Sequence, residues 1–160
     1  MVQDPFGDLR DLYQEVILDH GKHPRNHRHP PEANREARGD NPLCGDRITV
    51  YVTISDAGII EDVAFEGRGC AISTASASLM TEVIRGKTEA EAQSLFESFH
   101  ELCTEGEDAS GAHHAVDEDA MDRLRVLAGV REFPVRVKCA TLAWHTLNAA
   151  IAGAGRVSTE

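Results

Sequence analysis

The sequence predicts an α+β domain in which helices cover one side of a small antiparallel sheet. Three observations carry that reading. Ile48, Val50, Val52 and Ile54 alternate with Thr49, Tyr51, Thr53 and Ser55, the period of a strand with one buried face. Asp56-Ala57-Gly58 then supplies a turn, and Val63 and Phe65 resume a strand pattern between Ile59 and Gly67, giving a hairpin. Elsewhere the apolar residues recur at helical spacing. With 160 residues, no repeat and no break in composition, residues 1–160 are expected to fold as one domain.

Taken in order, Leu9, Leu12, Tyr13, Val16 and Ile17 mark an amphipathic N-terminal helix, with Asp8 placed to cap it and Gly21 and Pro24 to stop it. From His20 to Asp40 the chain is rich in His, Pro, Arg and Asn, so a long loop is expected, with an irregular edge strand near Ala33 to Arg38. After the hairpin, Ile72, Ala75, Leu79 and Val83 share one helical stripe that begins at Ala71 and ends at Gly86. Thr88 with Glu89 and Glu91 starts the next helix, whose apolar face is Leu95, Phe96, Phe99, Leu102 and Cys103. Thr104 to Asp119 has the composition of a mobile acidic loop, and a short helix is expected from Asp119 to Ala128. Phe133-Pro134-Val135-Arg136-Val137 reads as extended, because of its proline and β-branched residues. It delivers Cys139 to a last helix carrying Trp144, Leu147 and Ile151.

The net charge of −11 is concentrated in the middle of the chain: from Asp56 to Asp122 there are 16 acidic residues against Arg68, Arg85 and Lys87. Such a face repels phosphate backbones, which argues against nucleic-acid binding, and favours encounter with a basic protein. The first twenty residues lack the apolar centre of a secretory signal, and no apolar run is long enough to cross a bilayer. A cytoplasmic protein without membrane association is expected, its four cysteines being thiols available for metal or sulfur chemistry.

Cys44 lies on the loop Asn41-Pro42-Leu43-Cys44-Gly45-Asp46-Arg47, ahead of the first hairpin strand. Cys70 and Cys139 each fall where an extended segment is expected to enter a helix, a position whose unpaired N–H groups and positive dipole end favour thiolate. Cys44, Asp46, Cys70 and Cys139 would offer three thiolates and one carboxylate to a soft divalent metal if the fold converges them. Their wide spacing leaves convergence open, and each residue has a metal-free reading: a buried cysteine, or an aspartate capping a turn. With Zn²⁺ the four ligands sum to −2, so nearby cations are expected, with Arg136 and Lys138 beside Cys139 as candidates. Cys44, flanked by Pro42 and Gly45, is the thiol placed to detach and attack a sulfur on a partner.

The stretches LYQEVILDHGKHPRN, NPLCGDRI, IIEDVAFEGRGCAISTASASLMTE and FPVRVKCATLAW together resemble the SufU and IscU proteins of iron–sulfur cluster assembly, related to the N-terminal part of NifU, over nearly the whole chain. The resemblance implies an IscU-like α+β fold, with a three-stranded antiparallel sheet packed against about five helices. It also implies metal ligation by Cys44, Asp46, Cys70 and Cys139. Scaffold members of the IscU type carry a histidine before the last cysteine and a Leu-Pro-Pro-Val-Lys docking motif. This chain has Lys138 before Cys139, and Phe133-Pro134-Val135-Arg136-Val137-Lys138 in the docking position. The acidic segment around Glu101 to Asp122 also reads as an insertion.

These departures resemble the SufU branch. The implied function is a zinc-dependent sulfurtransferase that activates a SufS-like, pyridoxal-phosphate-dependent cysteine desulfurase. A histidine of the desulfurase would take a zinc position, and the freed Cys44 would accept persulfide sulfur. Arg136 matches an arginine of the SufU motif. The alternatives are a scaffold that assembles a [2Fe–2S] cluster on the same four ligands and a non-catalytic zinc-stabilised adaptor. Other cluster-assembly proteins, a SUF scaffold among them, are possible further partners. Cys103 shares the apolar face of Leu95, Phe99 and Leu102 and reads as core. His20, His23, His27 and His29 read as a solvated loop, as do His113 and His114.

Overall fold

The computed structural model describes residues 15–42, 45–105, 117–153 and 156–158. The predicted hairpin forms as strands β2 (Asp46–Ile54) and β3 (Ile60–Arg68), antiparallel with Val50 opposite Phe65. Strand β1 (Arg35–Asn41) pairs antiparallel with β2 on its other side, completing the three antiparallel strands. A short β4 (Arg156–Ser158) runs parallel to β1, so the sheet order is β3-β2-β1-β4.

β1 is regular over seven residues rather than irregular, and it is paired on both sides at Arg38–Asp40 rather than lying at an edge. Its inward positions are Ala37, Gly39 and Asn41, small or polar residues that leave no apolar alternation in the sequence. Gly39 belongs there because a Cβ would run into the Thr146 hydroxyl and approach Leu142 Cδ1 to 3.1 Å.

Helix α1 is described over residues 15–22, and the predicted cap at Asp8 lies outside the described residues. The helix passes through Gly21 before stopping. Ser78 pins the end of this helix and the chain that follows it: His20 Nδ1 lies 2.7 Å from the Ser78 hydroxyl, which also accepts the Arg25 N–H at 2.8 Å. Helix α2 (Ala71–Ile84) carries Ser78, and α3 (Glu89–Glu105) follows after a reciprocal cap in which Thr88 and Glu91 satisfy each other's N–H groups. Then come α4 (Glu118–Leu124), a 3₁₀ segment (Arg125–Glu132) and α5 (Pro134–Ala152). The expected loop over Thr104 to Asp119 lies largely outside the described residues, although Thr104 and Glu105 still belong to α3.

The stretch from Pro134 to Val137, expected to be extended, is the first turn of α5 instead. Pro134 occupies the start of the helix, where its missing N–H costs nothing and its fixed φ is already helical. Only Phe133, at φ −130 and ψ 87, keeps the extended conformation required before proline. Cys139 therefore lies in the second turn of α5 rather than at its mouth.

α5 packs across β1 and β2, α2 lies against α5 and β3, and α3 closes over α5. The core centres on Trp144 and Phe99, whose rings stack at 4.8 Å among Leu95, Leu127, Leu142 and Leu147. Such a pair adds about 0.5–1.5 kcal/mol beyond its area burial. Among the described residues no helix is long and apolar enough to cross a membrane.

Candidate metal centre

The sheet register builds the site. Asp46 opens β2 opposite Asn41, and the next pair, Arg47 with Arg68, holds the end of β3 just before Gly69 and Cys70. Cys70 is the N-cap of α2, where its Sγ accepts the Ser73 N–H at 3.5 Å. Its own N–H donates to Asp46 Oδ1 at 3.1 Å. Gly69 makes this approach possible, since a Cβ there would meet Asp46 Oδ1 at 3.0 Å and collide with the Ser73 hydroxyl.

Cys139 reaches the same place from α5, fully buried. The Ser76 hydroxyl donates to the Ala140 carbonyl at 2.5 Å, tying the helix that begins at Cys70 to the turn that carries Cys139. One donor atom from each of Asp46, Cys70 and Cys139 lies within 4.8 Å of the other two.

The electrostatics favour anionic sulfur. Cys70 occupies the positive end of α2, with the Ser73 N–H directed at its Sγ. Arg136 lies one turn before Cys139; its hydrogen bond to Cys139 and the charges of Cys70 and Cys139 raise its pKa above the ordinary value. Asp46 is 3% exposed, and its second oxygen, Oδ2, is buried without a hydrogen-bond partner. A buried carboxylate oxygen is costly in that condition. Two sulfur donors and a carboxylate oxygen, converging this closely, fit a thiophilic divalent ion.

Asp46, Cys70 and Arg136 line an open cleft of about 880 Å³, whose rim includes Gly45 and the side chains of Phe133 and Val135. Those two are 61% and 56% exposed, unusual for large apolar residues and placed beside the site.

The fourth expected ligand, Cys44, lies outside the described residues, although the next residue, Gly45, borders the cleft. Lys138 lines a different hollow, with His100 and His145. Its position one residue before Cys139 rotates it away by about 100° on the helix. Cys103 is fully buried, and burial pushes its thiol up to about 12.

Of the N-terminal histidines, His20 departs from the expected solvated loop, being 7% exposed, whereas His23, His27 and His29 are exposed as expected; His27 meets Phe65 edge-on and His29 stacks on Tyr51 at 4.1 Å. Among the described residues none of them enters a metal-type cluster. His113 and His114 lie outside the described residues. Gly69 and Ser76 escaped the sequence reading, although the glycine preceding Cys70 in Gly67-Arg68-Gly69-Cys70 is a visible sign of close packing.

The family model described as NifU-like N terminal domain matches residues 12–140. The chain belongs to this family.

Relatives of this NifU-like chain carry two kinds of name. It is 40% identical over 143 residues to the iron–sulfur cluster assembly scaffold protein IscU of Streptococcus pyogenes, covering 89% of this chain and 84% of the relative. It is also 40% identical over 145 residues to the zinc-dependent sulfurtransferase SufU of Bacillus subtilis, covering 91% and 92%. A crystal structure from Fervidobacterium islandicum, described as a SUF-system scaffold protein, superposes with a TM-score of 0.75 at 35% identity, covering 89% of this chain and 98% of that one. The fold and the family are thus those of the IscU and SufU proteins.

Proposed function

We propose that this protein is a zinc-dependent sulfur acceptor for a pyridoxal-phosphate cysteine desulfurase, with Cys44 taking the sulfur. The observation that carries the reading is the convergence of Asp46, Cys70 and Cys139 at the foot of an open cleft bordered by Gly45. These three residues and Cys44 would hold zinc, which when bound keeps its cysteine ligands deprotonated at neutral pH. Asp46 Oδ2 is the carboxylate atom left for that task, because Oδ1 is engaged by the Cys70 N–H. Arg136 reduces the negative charge that two or three thiolates and a carboxylate accumulate. The Cys44 thiolate attacks the outer sulfur of the partner's cysteine persulfide. That S–S bond breaks, its electron pair leaves on the partner's thiolate, and Cys44 carries away the sulfur as a persulfide. Phe133 and Val135 on the rim give such a partner an apolar landing beside the thiols.

A second reading, a scaffold holding a [2Fe–2S] cluster on the same four residues, draws support from the donor set, which suits iron as well as zinc. Lys138 favours the acceptor: it occupies the position where the scaffold branch has a histidine, and it lines another hollow. The test uses protein purified without oxygen and mixed with a desulfurase and cysteine. The expected result is bound zinc, accelerated alanine release and a Cys44 peptide heavier by one sulfur atom, with both activities lost in Cys44→Ala. Stoichiometric iron and sulfide with visible charge-transfer bands, or sulfur acceptance by Cys44→Ala, would overturn it.

A further inference from the structure

Lys138 helps to build a second concavity. A hollow of about 480 Å³ is lined by Arg131 of the 3₁₀ segment, Lys138 and His145 of α5, and His100 of α3. Four potentially cationic side chains from three elements meet there, and among the described residues no carboxylate side chain lines the hollow. In a chain of net charge −11 that composition is opposite to the average surface.

The cations are available. Among the described residues neither Arg131 nor Lys138 enters an ion pair, and Arg131 donates one hydrogen bond, at 2.8 Å, to the Glu105 carbonyl. The 19-residue α5 begins at this hollow with Pro134, has no acidic residue in its first turn and has no side-chain cap at Phe133. Its positive end adds an attraction for an anion, set against Glu132, which precedes Phe133 and lines the neighbouring cleft. Thr104 and Thr141 give their hydroxyl protons to the carbonyls of His100 and Val137, which leaves Arg131, Lys138 and the imidazoles as the donors.

We propose that this hollow binds a phosphate group, either inorganic phosphate or the head of a small phosphate monoester. A phosphate has oxygens enough to engage donors arriving from three directions, and Arg131 offers it a fork of N–H groups. The volume exceeds the needs of the group itself, and Pro134 and Val137 supply apolar wall for an attached organic portion. His100 and His145 lie 5.9 Å apart between ring centroids. Burial, with the charge of His100, lowers the pKa of His145, so it enters neutral at pH 7 and gains a proton as the medium is acidified. The opposing groups are Glu97, Glu101 and Glu105, which line the adjoining hollow around the same two histidines and confine the anion to the Arg131 and Lys138 side.

The test titrates inorganic phosphate, and separately phenyl phosphate, into the zinc-loaded full chain at constant ionic strength while following the ring NMR signals of His100 and His145. Saturable shifts of both rings are expected at pH 7. Arg131→Ala should weaken binding at least tenfold while zinc content stays unchanged. Tighter binding of phenyl phosphate identifies a monoester ligand, and equal binding identifies the free ion; either supports the site. Linear, unsaturable shifts, or undiminished affinity in Arg131→Ala, overturn it.

Discussion

Asp46 and Cys70 are joined by a hydrogen bond that uses only half of the carboxylate: Oδ1 accepts the Cys70 N–H at 3.1 Å, while Oδ2 is buried without a partner. The bond orients the aspartate, and the unused oxygen gives it something to ligate. That division of labour separates two effects by substitution. Asp46→Asn keeps an oxygen for the Cys70 N–H but removes the charge. The metal-free fold should be about as stable as the parent in urea, because the buried charge is removed while an amide NH2 takes the unpartnered place of Oδ2. Zinc affinity, measured by competition with a chelator, should drop about tenfold or more. Undiminished zinc binding in Asp46→Asn would remove the aspartate from the ligand set.

Gly69→Ala tests the same relationship from the backbone. Its Cβ would press on Asp46 Oδ1 at 3.0 Å and displace the Ser73 side chain. Stability should fall by about 1–3 kcal/mol, the usual result of overpacking. Zinc affinity should fall with it, although no ligand has been altered. A variant with parental stability and zinc affinity would mean that this corner is looser than the distances indicate.

Arg136→Ala should leave the fold nearly unchanged, since the residue is exposed at the cleft, but should remove the cation that hydrogen-bonds Cys139 and faces Cys70. In zinc-free protein, Cys70 should then react more slowly with iodoacetamide near neutral pH, and Arg136→Lys should restore part of the rate. Equal rates in all three proteins would show that the α2 dipole alone sets the reactivity.

The sequence announced some of these relationships and concealed others, for physical reasons. The hairpin was legible because Ile48 to Ile54 alternates between a core and a less buried face. β1 was legible only as an irregular edge strand near Ala33 to Arg38, because its inward residues include Gly39, selected by the close approach of α5, and Asn41, buried without being apolar. Cys70 was correctly placed at a helix start. Cys139 was placed one turn too early, because Phe133-Pro134-Val135 carries the same residues whether proline follows a strand or begins a helix. The burial of His20 depended on Ser78, 58 residues away, which no local pattern reports.

Cys103 offers a contrast with the site thiols. It is fully buried in the core, and burial pushes its pKa to about 12, so almost none of it is thiolate at pH 8. Alkylation of native protein should spare Cys103 and label it only in denaturant, as read by mass spectrometry of its peptide. Rapid native labelling would show that α3 opens readily from the core.

His20 makes stability depend on pH. Burial is the main cause that lowers its pKa below the ordinary 6.5, against a weaker pull from Glu82, whose carboxylate lies 4.0 Å from Nε2. The unfolded chain therefore binds a proton more readily than the folded one. The sign follows from linkage: where the unfolded state holds more protons, stability rises with pH. The stabilisation is fully present above pH 6.5, declines as pH falls below it, and is lost once pH has passed through the lowered folded value. His145, also lowered by burial, acts in the same direction, so the two must be separated by substitution. Urea unfolding of zinc-free protein between pH 7.5 and pH 5 (about the window that the unperturbed histidine value sets) should show a loss of stability toward acid. His20→Gln should be less stable at pH 7.5, because it loses the fitted contact with Ser78, but should show a shallower acid decline. A decline as steep as the parent's would assign the pH dependence to His145 or to the carboxylates and leave the His20–Ser78 contact with a purely structural part in holding α1 against α2.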